Sequence, residues 1–306
     1  MSESAHWQAR PEAGTFGGLR FLMWIANHMG RGALFALLKP VVLYFLVVRG
    51  PERRASRAYL ARALARKPGW LDVYRHFLRF AEVTSDRFFF LAERDAEIPV
   101  RFVLDDAFER VMSSGQSGIF LAAHFGSFEA ARVLGPQHGG IRLRIVLDKQ
   151  INARFVELME HVAPEMYDLI IDSEQGSVAL GLSINEALKN GDWVGFLADR
   201  FRPADRTLRL PFLGDQAVFP AGPYLIANTF KAPVIGAFCR LTETGYEVHL
   251  EVLSERVAWP RAEREAELQK LAAHYVSRLE HHVRAAPFGW FNFYEFWAAP
   301  SDAEAG

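Results

Sequence analysis

The chain has 306 residues, half of them hydrophobic and 25 of them phenylalanine, with a formal net charge of −1. That length buries a sizeable core in one large domain or two smaller ones, and the near-neutral charge gives no electrostatic footprint for nucleic acid. A single cysteine, Cys239, excludes an intrachain disulfide and a multi-cysteine metal site and fits a reducing compartment.

Residues 1 to 18 are polar and Gly-containing and read as a loose terminus. The apolar stretch 19 to 48 follows, without the shape or cleavage site of a signal peptide. Its longest charge-free pieces, 21 to 30 and 40 to 48, are separated by Arg31 and Lys39. Each falls short of the roughly 20 apolar residues that a spanning helix needs. The stretch therefore reads as an element lying in a membrane interface or folding as a helical hairpin, against the plainer reading of a buried helix pair. Residues 49 to 67 then carry Arg49, Arg53, Arg54, Arg57, Arg62, Arg66 and Lys67 against Glu52 alone. A basic run beside an apolar one favours an anionic membrane surface.

The basic segment 51 to 67 is expected to be helical and to end at Pro68-Gly69. Helical spacing follows over 70 to 94, then a short strand at 100 to 104 and a helix at 105 to 113. Further strands are expected at 119 to 123, 141 to 147, 169 to 171, 193 to 198, 234 to 240 and 246 to 252. Helices are expected at 150 to 162, 177 to 190, 222 to 230 and 261 to 284. The stretch 208 to 218 reads as a loop, and the aromatic tail 287 to 297 as an acyl-pocket lining, an interfacial anchor or a strand packed on the core. Strands alternating with helices predict an α/β fold, a mixed central sheet flanked by helices, with an N-terminal apolar helical membrane-associating element. The economical division is 1 to 50 for that element and 51 to 306 for one catalytic domain.

Residues 119 to 129 concentrate the chemistry. An apolar strand runs into His124, and Gly126 and Ser127 follow, with Ser127 a good N-cap and Glu129 in the first turn of the next helix. His124 thus sits at the carboxyl end of a strand, where open α/β sheets hold their ligands. The His-to-Glu offset alone carries no weight: with ten histidines and 36 acids in the chain, about one such pair arises by chance. In its strand-turn-helix setting, His124 reads as a general base oriented by Glu129, which would reach back from the helix. The plain alternative is an ordinary strand-end histidine.

A second strong strand runs directly into Asp199-Arg200. Beside the first strand, Arg200 would approach His124 and steady an oxyanion or hold a phosphate; otherwise it belongs to a solvated basic loop. The turn Phe219-Pro220-Ala221-Gly222-Pro223 enters a helix whose backbone N–H groups would meet an anion. No phosphate-loop, dinucleotide, serine-elbow or His-Glu-x-x-His pattern occurs, so the usual nucleotide, hydrolase and zinc-protease readings lose their support.

Taken in order, these blocks resemble the bacterial lipid A late acyltransferases of the lysophospholipid acyltransferase superfamily. His124 and Glu129 match the histidine, four residues, then acid pattern; Asp199-Arg200 matches the aspartate-arginine block after a strand. Residues 212 to 223 and Ala232-Pro233-Val234 match the next block, and 287 to 297 the proline-and-tryptophan tail. The chain departs from the pattern at Ala123, Ala198, Gly236 and in its less basic tail, which suggests an outlying branch that differs in acceptor rather than reaction. The resemblance implies acyl transfer from an acyl-carrier protein or acyl-CoA thioester to a hydroxyl or amine of a lipid or glycolipid, without metal or bound cofactor. His124, Glu129 and Arg200 would be catalytic, and Asp199, Ser127, Pro220 and Gly222 would bind substrate. The setting implied is the cytoplasmic face of a bacterial inner membrane. A thioesterase or lipase-like hydrolase using the same dyad, or a non-catalytic lipid-binding protein, are the alternatives.

Overall fold

The computed structural model describes residues 16–91, 94, 97–133, 141–150, 153–162 and 164–297. The expected loose terminus therefore lies almost wholly outside the described residues. The strands are β1 (Val100–Leu104), β2 (Ile119–Ala122), β3 (Leu143–Leu147), β4 (Ile170–Asp172), β5 (Trp193–Leu197), β6 (Thr207–Phe212), β7 (Asp215–Pro220), β8 (Val234–Leu241) and β9 (Tyr246–Ser254). Seven of them form one sheet in the order β1-β9-β8-β2-β5-β3-β4. β2 lies at its centre, parallel to both neighbours, β5 and β8. β9 returns antiparallel to β8, and β1 pairs parallel to β9, so the sheet is mixed as expected.

The helices are α1 (Phe16–Val48), α2 (Gly50–Ala63), α3 (Trp70–Leu91), α4 (Asp106–Ser113), α5 (Phe128–Arg132), α6 (Ala153–Val162), α7 (Pro164–Tyr167), α8 (Ser177–Lys189), α9 (Gly222–Phe230) and α10 (Arg264–Ala285). Side chains of β2 alternate between two cores because strand residues point to opposite faces. Ile119 and Leu121 join one core with Tyr224 of α9 and Tyr275, Val276 and Leu279 of α10. Phe120 and Ala122 join the other with Phe89 of α3, Phe108 of α4 and Ala130 of α5. All four β2 residues are buried, as a central strand covered on both faces requires.

One of the expected elements differs. Residues 208 to 218 are not a loop: β6 and β7 pair antiparallel, with Pro211 opposite Gln216 and Phe212 opposite Asp215. Leu208, Leu210 and Phe212 alternate inward along β6, a period of two hidden by the Pro-Phe-Leu-Gly that ends it. Leu213 and Gly214 close the hairpin with φ of 52° and 85°, the left-handed pair that two-residue hairpin turns use.

At the N-terminal side, α1 runs antiparallel along α3: Arg31 pairs with Asp86 at 2.8 Å, and the Tyr74 hydroxyl donates to the Lys39 carbonyl at 3.3 Å. Leu34, Leu38, Val42 and Leu46, four residues apart, bury one stripe of α1. Val41, Leu43, Tyr44, Val47 and Val48 remain exposed on it. His28–Val48 gives 21 residues long and apolar enough, by length and composition, to cross a membrane. The two cations within this stretch had suggested only shorter pieces; Asp86 neutralises one of them.

Candidate active site

Parallel pairing brings the two chemical strand ends together. Ala122 of β2 is level with Leu197 of β5, so His124 and Asp199 each lie two residues beyond the same rung. Asp199 is fully buried, and its Oδ1 lies 2.8 Å from His124 Nδ1. Its Oδ2 accepts from the His124 backbone N–H at 3.0 Å, from Trp290 Nε1 at 2.9 Å and from Asn292 Nδ2 at 3.3 Å. A carboxylate only accepts, so Nδ1 carries the imidazole proton and Nε2 presents its lone pair. Among the described residues Nε2 makes no hydrogen bond, and the side chain is 26% exposed.

The electrostatics suit a base. Burial pushes the His124 imidazolium below its ordinary pKa, and the positive charge of Arg200 adds to the effect; Asp199 opposes both. Burial works against ionisation of Asp199, yet the adjacent imidazole and its hydrogen bonds hold its carboxyl well below the usual carboxylate range. At neutral pH the pair is a neutral imidazole on a carboxylate.

The C-terminal tail locks this geometry. Gly126 N–H donates to the Gly289 carbonyl at 2.9 Å, and Phe291 N–H to the His124 carbonyl at 2.7 Å, bracketing the histidine. Phe125 and Trp290 form an antiparallel bridge between them. Helices α2 and α3 hold the tail in turn. The Tyr59 hydroxyl donates to the Pro287 carbonyl at 2.6 Å. His76 Nε2 donates to the Trp290 carbonyl at 2.9 Å, while its Nδ1 accepts from the Ser56 hydroxyl at 2.8 Å. On the sheet side, the Tyr275 hydroxyl donates to the Ala122 carbonyl at 2.7 Å.

Arg200 lies beside this cluster, as expected from the adjacency of the two strands. Its Nε donates to Asn292 Oδ1 at 3.1 Å and its Nη2 to the Phe291 carbonyl at 2.9 Å. The expected contact between Glu129 and the imidazole is not made. Glu129 is buried, accepts from the Ser127 hydroxyl at 3.0 Å and lies 2.9 Å from Arg87 Nε. The reason is directional: Ser127 caps α5 through Ala130 N–H and draws the carboxylate toward α3, away from Nδ1. Ser127, expected also to meet substrate, is 1% exposed and caps α5. Asp199 is wholly enclosed, and its carboxylate bonds to both the backbone and the ring of His124. Pro220 is buried at the end of β7 and Gly222 opens α9, with no hydrogen bond from either to His124 among the described residues.

Tyr275 and His76 support the site but were not read from the sequence as part of it, and the tail carrying Trp290 and Asn292 was read as an acyl-pocket lining, an anchor or a packed strand, not as donors to Asp199. The aromatic density of 287 to 297 was the available signal, and it spoke for packing before hydrogen bonding.

A family model described as bacterial lipid A biosynthesis acyltransferase matches residues 86–298. That span holds every element of the cluster around His124 except α1, α2 and most of α3. No curated protein matches the chain.

Proposed function

The chain belongs to the bacterial lipid A biosynthesis acyltransferase family, and on that premise we propose that it moves a fatty acyl chain from an acyl-carrier-protein or CoA thioester to a hydroxyl or amine of a membrane lipid, with His124 as general base. Membership makes it an acyltransferase of lipid A type, acting between an acyl donor and a lipid acceptor. The carrier, the base and the membrane setting are the proposal.

The observation that carries the mechanism is the 2.8 Å bond between His124 Nδ1 and Asp199 Oδ1, which leaves the Nε2 lone pair unengaged among the described residues on a partly exposed side chain. Nε2 takes the proton of the acceptor hydroxyl or amine as the acceptor attacks the thioester carbonyl. Asp199 fixes the tautomer and stabilises the imidazolium. The tetrahedral oxyanion collapses, the carbon–sulfur bond breaks, and the thiolate recovers the proton from the imidazolium. Arg200 stabilises the oxyanion through its charge, and no step calls for a metal or a bound cofactor.

The membrane setting rests on one surface. Tyr44, Val47 and Val48 of α1 and Trp70 and Leu71 of α3 are exposed, and Arg53 links them, donating to the Val47 carbonyl while lying over Trp70. Arg53 and Arg57 stand over the Trp70 ring, each 5.8 Å from its centroid. Apolar residues rimmed by arginines match the interface of an anionic bilayer. We divide the chain accordingly, residues 1 to 50 associating with the cytoplasmic face of the inner membrane and 51 to 306 catalysing.

Purified protein with lauroyl-CoA or lauroylated carrier protein and a bacterial lipid extract should yield a new acylated lipid by mass spectrometry. Folded His124→Ala should yield none; full activity there sinks the mechanism. Fatty acid release undiminished when acceptor is withheld would replace transfer by hydrolysis.

A further inference from the structure

Between α2, the aromatic tail and the β6-β7 hairpin lies a cavity of about 370 Å³. Positions 54, 58 and 62 are four residues apart and share one face of α2, so Arg54 and Arg62 flank the small Ala58 in its lining. The hairpin adds Asp215, and the tail adds Tyr294, Glu295 and Trp297. The charge of Arg62 is already matched: its Nη2 lies 3.1 Å from Asp215 Oδ2, and its guanidinium stands 4.5 Å from the centroid of the Trp297 ring. Arg54 and Glu295 are exposed and make no hydrogen bond or ion pair among the described residues. The Tyr294 hydroxyl likewise makes no hydrogen bond among them. Arg200 lies 5.7 Å from the centroid of the Tyr294 ring, so the cavity shares a wall with the surroundings of the base.

We propose that this cavity binds the headgroup of a membrane phospholipid that carries both a phosphate and a primary ammonium. This rests on the membrane surface proposed above, since the same helix holds Arg53 and Arg57 over Trp70, and not on the identity of the base. Charge decides the class of ligand. Two arginines and two carboxylates cancel in the lining, so a polyanion such as CoA would meet repelling carboxylates. A zwitterion meets one unmatched charge of each sign. Its phosphate takes the Arg54 fork and the Tyr294 hydroxyl, and its ammonium donates to Glu295. A quaternary ammonium would need an open aromatic face, but the Trp297 ring already carries Arg62 and stacks on Phe212 at 6.0 Å. The volume falls at the low end of the roughly 300–1,000 Å³ of small-molecule sites, which suits a headgroup and leaves its acyl chains outside.

Co-sedimentation with vesicles of fixed phosphatidylglycerol content, made up with either phosphatidylethanolamine or phosphatidylcholine, tests this. The native protein should bind the ethanolamine vesicles about tenfold more tightly, the lower end of what one charged hydrogen bond gives. Glu295→Gln should lose that preference and bind the choline vesicles as the native protein does. Arg54→Gln should weaken binding to the ethanolamine vesicles, and Arg54→Lys should restore part of it. Ala58→Trp, which fills the cavity from an exposed position, should also remove the preference. Soluble glycerophosphoethanolamine should compete it away, and glycerophosphocholine should not. The proposal is overturned by equal binding of the native protein to the two kinds of vesicle, or by a preference that survives in both Glu295→Gln and Ala58→Trp. Calorimetric binding of glycerophosphoethanolamine that needs Glu295, with no vesicle preference, would overturn the lipid as the source in favour of a soluble ester. Failure to bind any vesicle, those rich in phosphatidylglycerol included, would instead overturn the membrane surface on which the proposal rests.

Discussion

Trp290 and Asp199, 91 residues apart in sequence, meet through an indole N–H donating to Oδ2 at 2.9 Å. Trp290 is fully buried and packs edge-on against Tyr59, Phe212 and Phe296. Replacing it by Phe retains an aromatic ring but removes the donor. The Asp199 carboxylate keeps His124 and Asn292, so the cost is about 1–3 kcal/mol of stability. We expect kcat to fall while KM holds, because a loosened Asp199 misplaces the base. Equilibrium denaturation and steady-state kinetics on Trp290→Phe check both; an unchanged kcat would show that the indole only packs.

Asp199→Asn tests the orientation of the base directly. The amide either donates to Nδ1 and reverses the tautomer or presents its oxygen without the charge that steadies imidazolium. By analogy with serine-protease triads, kcat should fall by roughly 10³–10⁴ with substrate binding retained. In the native protein, burial and Arg200 hold the His124 pKa below its ordinary 6.5. On the proposed mechanism His124 is therefore unprotonated at neutral pH, and the acidic limb of kcat/KM should lie below pH 6.5. A limb above pH 7 would contradict the assignment.

How much of this was legible in the chain is clearest at His124. The strand, the turn and the Ser127 cap were readable because each depends on residues within a few positions. The adjacency of β2 and β5 was anticipated as a condition, and Arg200 lies where that condition placed it. The partner of the imidazole was not readable: Glu129 is close in sequence, but α5 points it at Arg87, while Asp199 arrives through strand pairing 75 residues away. Likewise β6 and β7 were missed because their pairing is stabilised by Leu208, Leu210 and Phe212 meeting a core assembled from distant helices. Local patterns predict local structure; the hydrogen bonds of a site between strand ends are set by topology.

Gly126 is constrained on two counts. Its φ is +67°, and a Cβ there would lie 2.1 Å from the Cys239 carbonyl oxygen. The obstructing atom is backbone of β8, which is held on both sides by β2 and β9. Gly126→Ala should therefore cost more than the about 1 kcal/mol of an ordinary left-handed alanine and reach several kcal/mol. Its displacement would also break the bond to Gly289 that brackets His124. Thermal unfolding should show a large drop in Tm, and a variant with native Tm would contradict the close approach.

Binding to vesicles tests the membrane surface. Arg53→Glu/Arg57→Glu should weaken association with phosphatidylglycerol vesicles by more than tenfold, taking about 1 kcal/mol per basic residue lost and more for reversal. Phosphatidylcholine vesicles should show little difference, and added salt should reduce the contrast. Equal binding of both proteins to anionic vesicles in co-sedimentation would remove the basic rim from the docking surface.

Acid should unfold the protein through two buried histidines far from each other. His76, enclosed between α2, α3 and the tail, is pushed down to about 4 by burial, and His282 on α10 likewise to about 4. The folded pKa of each lies below the unfolded value of about 6.5, so the unfolded chain binds more protons between those limits. Their contribution is fully present above pH 6.5 and is lost as pH falls toward 4. At pH 5 the loss is about 2 kcal/mol for each histidine. Burial works against ionisation of Glu251, yet its hydrogen bonds to Arg278 and His282 hold it at about 2, which adds loss in the same direction below pH 4.5. Urea unfolding at pH 7.5 and pH 5 should thus differ by about 4 kcal/mol, and His76→Gln should shrink that difference by about half. Gln retains a donor for the Trp290 carbonyl, so the change reports the proton and not the lost contact. Equal pH dependence in His76→Gln and the native protein would place the acid sensitivity elsewhere.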